Sequence, residues 1–88
     1  MKAIVITQPG PAEVLRLHEL PRPEPAPHEV LIRVAAAGVN RPDVLLREGK
    51  YRGSSDVAGL VPGLEVAGTV EACRAAVTRW RPGDAVCA

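Results

Sequence analysis

EVLIRVAAAGVNRPDVLLREG, Glu29 to Gly49, is a strand that runs without interruption into a short helix. In its first part Val30, Ile32 and Val34 share one face and Leu31, Arg33 and Ala35 the other, the period of two that a strand requires. The pattern changes at Gly38. Asn40 is a favoured N-cap, and Pro42 falls in the first turn, where its missing N–H has no helical partner to lose. Asp43 suits the positive end of the helix dipole, and Gly49 suits the position just past the last turn. A short helix beginning at Arg41 is expected, with Asn40 at the junction.

On the N-terminal side, residues 2–7 are a β-branched run ended by Gln8-Pro9-Gly10-Pro11. Residues 14–20 alternate around Leu15 and Leu17, the pattern of a half-buried strand. The two predict a β-hairpin. Residues 21–27 place proline at every second position, which removes backbone donors and favours extended geometry, so they read as a surface connector. On the C-terminal side, residues 50–60 read as loop, Gly63 to Cys73 as a strand with small residues at Ala67 and Gly68, and Arg81 to Asp84 as a turn. A final strand, Ala85 to Ala88, has no room to finish. Five strands around one short helix fit a mostly β fold, a small and partly open β-barrel. No G-x-G-x-x-G follows a strand and no βαβ unit is present.

The chain has 88 residues, of which 47% are hydrophobic, enough for one small core. Eleven basic against ten acidic residues give a formal charge of +1, which favours neither nucleic acid nor an anionic membrane. Cys73 and Cys87 lack metal-ligand spacing and read as free thiols of a reducing compartment. The first residues form neither a signal peptide nor a membrane span, so a cytoplasmic location is expected.

Two segments, Gly38-Val39-Asn40-Arg41-Pro42-Asp43 and Pro62-Gly63-Leu64-Glu65-Val66-Ala67-Gly68, resemble those carrying the catalytic-zinc ligands of medium-chain alcohol dehydrogenases. Asn40 stands where that family has a Cys, and Leu64 where it has a His. The combination resembles the zinc-independent, zeta-crystallin-like quinone oxidoreductases of the medium-chain dehydrogenase/reductase family, and the likeness covers essentially the whole chain. It implies a GroES-like catalytic domain truncated at its C-terminus, with the nucleotide-binding Rossmann domain absent from this chain. The implied activity is zinc-free hydride transfer from NADPH to a quinone or activated enone, with the cofactor held mainly by the missing domain. The parent is expected to be a homo-oligomer. An enoyl reductase of the same superfamily and a non-catalytic GroES-like binding module are the alternatives.

Each candidate residue also has a purely structural reading. Asn40 caps a helix, and the resemblance adds a hydrogen bond toward nicotinamide or substrate. Arg41 is either a solvated first-turn arginine or, by the resemblance, a contact for the cofactor pyrophosphate. Tyr51 is either a packing lid or a cleft residue beside nicotinamide and substrate, a catalytic and cofactor-binding assignment it shares with Asn40. Asp43 is explained by capping, Leu64 can only shape a pocket, and Glu65, on an otherwise apolar strand, needs a partner. No metal ligand is expected. His18 and His28 read as surface residues, and Ser54-Ser55-Asp56 lacks the surroundings of a nucleophile.

Overall fold

The strand–helix junction forms as its residues dictate. In the computed structural model, which describes residues 1–51 and 56–88, strand β3 (Val30–Ala37) leads to helix α1 (Arg41–Arg47). The other strands are β1 (Lys2–Ile6), β2 (Leu15–Glu19), β4 (Val66–Cys73) and β5 (Ala85–Cys87), with one 3₁₀ turn at Ala12–Val14. The chain is thus mostly strand with one short helix, and its two sheets do not close. It divides into two units, residues 1–21 with 39–64, and residues 22–38 with 65–88.

In the first unit, β1 and β2 form the expected antiparallel hairpin, with Ile4 opposite Leu17 and Ile6 opposite Leu15. Its loop is closed by Thr7, whose N–H and hydroxyl both donate to the Val14 carbonyl at 2.9 Å. Ile6, Val14 and Val57 make a fully or nearly fully buried cluster, with Leu15 and Leu46 packed against it. This core covers only the loop end of the hairpin. Leu17, read as part of a half-buried face, is therefore 62% exposed, as is much of Ile4 opposite it. A second clamp joins the loop to the helix end: Gly10 N–H donates to the Arg47 carbonyl, and Arg47 Nε–H to the Gly10 carbonyl, both at 3.0 Å.

The helix closes as its glycine requires. Gly49 has φ of 76°, the Gly49 N–H donates to Leu46 O at 2.9 Å, and the Lys50 N–H to Leu45 O at 2.8 Å. This pair of bonds is a Schellman motif, which satisfies carbonyls that the last turn would leave open.

In the second unit the antiparallel sheet has the order β3-β4-β5. The β3–β4 register shifts between Leu31 and Ile32 and again between Val34 and Ala36. Val34 is 53% exposed, whereas Val30 and Ile32 are half-buried. Strand β4 begins at Val66, three residues later than the pattern suggested, so Glu65 precedes the strand and is exposed. Val70 is the deeply buried residue of β4, at 2% exposure. The turn at Arg81-Pro82-Gly83-Asp84 is built as expected, with Asp84 N–H donating to Arg81 O at 3.1 Å and Gly83 at φ 96°. The proline-rich connector has no regular structure and carries two ion pairs to the sheet, Arg22 with Glu71 at 3.2 Å and Glu24 with Arg74.

Candidate functional site

Asn40 occupies the N-cap of α1 with extended backbone, φ −120° and ψ 163°, as its position before Arg41-Pro42-Asp43 demands. Asn40 and Asp43 form a capping box, in which the Asn40 backbone N–H donates to Asp43 Oδ2 at 2.8 Å. The box fixes the first turn of α1 and holds the Asn40 side chain at the helix mouth. Asp43 is accounted for by this role. Arg41, the first helical residue, is exposed.

Tyr51 follows the Schellman motif directly and is half-buried. Its backbone leaves the helix through Gly49 and Lys50. Asn40 and Tyr51 flank α1 at opposite ends, separated by seven helical residues, roughly 10 Å of helix. The loop reading for residues 50–60 is met at Asp56 to Leu60, while Ser54 and Ser55 lie outside the described residues.

Leu64 belongs to the same unit and is 58% exposed, as are Val39 at 85% and Val61 at 52%. The Leu64 side chain is apolar and carries no lone pair for a metal. A catalytic zinc takes thiolate, imidazole or carboxylate ligands, so Asn40 and Leu64 do not make a zinc donor set. Among the described residues no group of three or more His, Cys, Asp or Glu is placed to hold a metal.

Glu65 lies in the second unit, where it meets Gly38. The Gly38 N–H donates to the Glu65 carbonyl at 3.3 Å, and the Glu65 side chain passes across the Gly38 Cα. A Cβ at position 38 would lie 2.8 Å from both Glu65 Cγ and Cδ, and closer still to Oε1. Sequence reasoning gave Gly38 no role. Its only signal was a glycine at the point where strand periodicity stops.

Glu48 is held below its ordinary carboxylate range, first by a hydrogen bond from Lys50 and then by the charges of Lys50, Arg47 and Arg41. Lys50 Nζ lies 3.0 Å from Glu48 Oε2, and Arg47 Nη2 lies 3.5 Å from Oε1. His18 and His28 are exposed, and both cysteines are free, as expected. No helix among the described residues is long and apolar enough to cross a membrane.

The alcohol dehydrogenase GroES-like domain family matches residues 26–88, a span that includes both motif segments. The chain belongs to that family, within the medium-chain dehydrogenases/reductases. It is 40% identical over 87 residues to the quinone oxidoreductase of Lama guanicoe, covering 98% of the chain and 26% of that protein. It is 38% identical over 87 residues to the chloroplastic NADPH-dependent alkenal/one oxidoreductase of Arabidopsis thaliana, covering 98% of the chain and 22% of that protein. The crystal structure of the human synaptic vesicle membrane protein VAT-1 homolog-like protein superposes with a TM-score of 0.93 at 39% identity, over 100% of the chain and 28% of that structure. The chain thus spans about a quarter of the length of the relatives it matches.

Proposed function

We propose that this GroES-like domain forms one wall of the reactive cleft in a zinc-independent oxidoreductase that reduces a quinone or an activated enone with NADPH. The observation that carries the reading is the donor set: an amide at position 40 and an isobutyl group at position 64, in the two segments where zinc-dependent relatives hold their metal. A simple ketone needs a strong Lewis acid before it accepts hydride. A quinone is electron-poor and becomes aromatic on reduction, so hydrogen-bond donors suffice. The name of the guanaco relative supports a quinone, and that of the Arabidopsis relative supports both NADPH and an enone. A nucleotide-binding domain outside these residues holds most of the cofactor, and the nicotinamide supplies the hydride chemistry.

The residues of this chain then bind and orient. The Asn40 amide donates a hydrogen bond to the substrate oxygen or to the carboxamide of the cofactor. Arg41, exposed beside it, faces the anionic part of the cofactor. The Tyr51 hydroxyl is a second donor at the far end of α1. Leu64 and its exposed apolar neighbours exclude water from one side of a flat ring.

The decisive experiment is Asn40→Asp in the intact protein, assayed with NADPH and 1,4-benzoquinone. Asp caps a helix about as well as Asn, so the melting temperature should be unchanged. Replacing a donor by a negative charge beside the reacting oxygen should lower kcat by about 10²-fold. Tyr51→Phe keeps the ring, removes only the hydroxyl and should cost less. Unchanged kcat in both variants would reduce Asn40 and Tyr51 to scaffold. A parallel assay with an α,β-unsaturated ketone separates the quinone from the enone.

A further inference from the structure

Helix α1 is fastened at its last residue. The Gly10 N–H donates to the Arg47 carbonyl and the Arg47 Nε–H donates back to the Gly10 carbonyl, both at 3.0 Å. One residue of the helix and one of the hairpin loop thus hold each other twice, and both lie in the first unit. The loop is a firm support. Thr7 closes it onto the Val14 carbonyl, the Val14 N–H donates to the Pro11 carbonyl at 3.1 Å, and a Cβ at position 10 would lie 2.9 Å from Cγ1 of the buried Val14. On the helix side, Leu46 packs against the same core. The Arg47 side chain is 19% exposed, little for a residue type that ordinarily keeps its head in water. Its other contact, Nη2 to Glu48 Oε1 at 3.5 Å, lies beyond the usual hydrogen-bond range, so the Nε–H bond to Gly10 is the better-formed of the two.

We propose that Arg47 is a positioning residue, its Nε–H bond to the Gly10 carbonyl seating α1 on the hairpin loop. That seating sets how the helix presents Asn40, just before its first residue, and Tyr51, four residues past its last. The bond carries the effect and the charge does not. Two substitutions separate them. In glutamine the amide nitrogen is attached to Cδ, as Nε is in arginine, so Arg47→Gln keeps a donor at the same point of the side chain and removes the charge. Arg47→Met has a similar unbranched stem and no donor. The effect on turnover rests on the activity proposed above, and the seating of the helix does not.

The test compares Arg47→Met, Arg47→Gln and Glu48→Gln in the intact protein, assayed with NADPH and 1,4-benzoquinone well below the melting temperature of each. A misplacement of about 1 Å can cost about 10²-fold in rate, and the Gly10–Arg47 backbone bond survives every one of these changes, so Arg47→Met should lose about tenfold in kcat. Arg47→Gln should recover most of that loss. Glu48→Gln, which breaks the ion pair and leaves the Nε–H bond, should match wild type. A glutamine variant at position 47 as impaired as the methionine variant, a comparable loss in Glu48→Gln, or an unimpaired Arg47→Met would overturn the proposal. If Arg47→Met does not fold, the two glutamine variants still decide: turnover near wild type in both is expected, and a tenfold loss in either sinks the idea. Amide hydrogen exchange reads the seating without turnover. Exchange at Gly10 and at Lys50, whose N–H groups close the clamp and the helix end, should be faster in Arg47→Met and near wild type in Arg47→Gln. If the wild-type protein reduces neither quinone nor enone, the activity proposal fails, and the exchange rates alone decide whether Arg47 seats the helix.

Discussion

The first unit buries Ile6, Val14 and Val57 beneath a helix, whereas the second has Val70 as its deeply buried side chain and relies on a backbone ladder, tight glycine contacts and surface ion pairs. The difference decides what each unit tolerates. A side-chain core fails by losing volume, because the cavity left behind is only partly refilled. A ladder fails by gaining volume where two backbones nearly touch. Gly38 and Gly68 divide the second case further. A Cβ at position 38 meets a side chain, which can swing away. A Cβ at position 68 would lie 2.9 Å from the Arg33 carbonyl carbon, closer still to its oxygen, and 3.1 Å from Val34 Cα, none of which can move without the strand.

Gly68→Ala is accordingly expected to have the largest effect. Gly68 pairs with Val34 on one side and Val86 on the other, so it stands at the centre of the three-stranded sheet. The shift between Val34 and Ala36 carries β3 across its Cα. A methyl there must open the ladder on at least one side, and a loss above about 4 kcal/mol is expected, within the rare severe class of substitutions. Stability of small domains is about 5–15 kcal/mol, so chemical unfolding should show a chain near the edge of folding. A Gly68→Ala protein that melts like wild type would mean that β3 can shift its bulge freely.

Ile6→Ala breaks the other side of the comparison. Ile6 is fully buried against Val14 and Val57, and its backbone also pairs with Gly59 and Leu60. The substitution leaves those backbone bonds in place and removes only volume, so it should cost about 2–5 kcal/mol. A urea midpoint lowered with an unchanged slope is the expected signature. Leu17→Ala, on the same hairpin but largely exposed, is the matched control and should barely register.

The contrast also explains how much was legible in the sequence. Local chemistry was fully readable: Asn40 with Asp43 at one helix end and Gly49 at the other, the Pro82-Gly83 turn, and the hairpin. Each depends on residues within a few positions of one another. Leu17 was misplaced because alternation says which face a residue takes but not how far the core extends. Glu65 was placed on a strand that starts one residue later. Its contact with Gly38 spans distant positions and is written only as a missing side chain. Asn40, Leu64 and Tyr51 are candidates only through the resemblance of their segments, since an amide, an isobutyl group and a lone tyrosine carry no motif of their own.

The smallest expected effect tests whether exposed charge contributes in the first unit as little as its core suggests. Glu48 accepts from Lys50 at 3.0 Å and lies 3.5 Å from Arg47, whose Nε–H also holds the Gly10 carbonyl. Its pKa is lowered in the folded state, chiefly by the Lys50 hydrogen bond. A carboxylate whose folded pKa lies below its unfolded value stabilises the fold above the unfolded value, and that contribution is lost as pH falls through the folded one. Wild type should therefore melt slightly higher than Glu48→Gln at neutral pH, and the gap should close on acidification below about 4.5, the group's ordinary value. Salt should narrow the neutral-pH gap as well, because the ions reach water and are screened. A gap that persists unchanged at pH 3 and in high salt would show that Glu48 acts through packing at the helix end. The Arg47–Gly10 clamp would then belong with the core as a determinant of how α1 presents Asn40 and Tyr51.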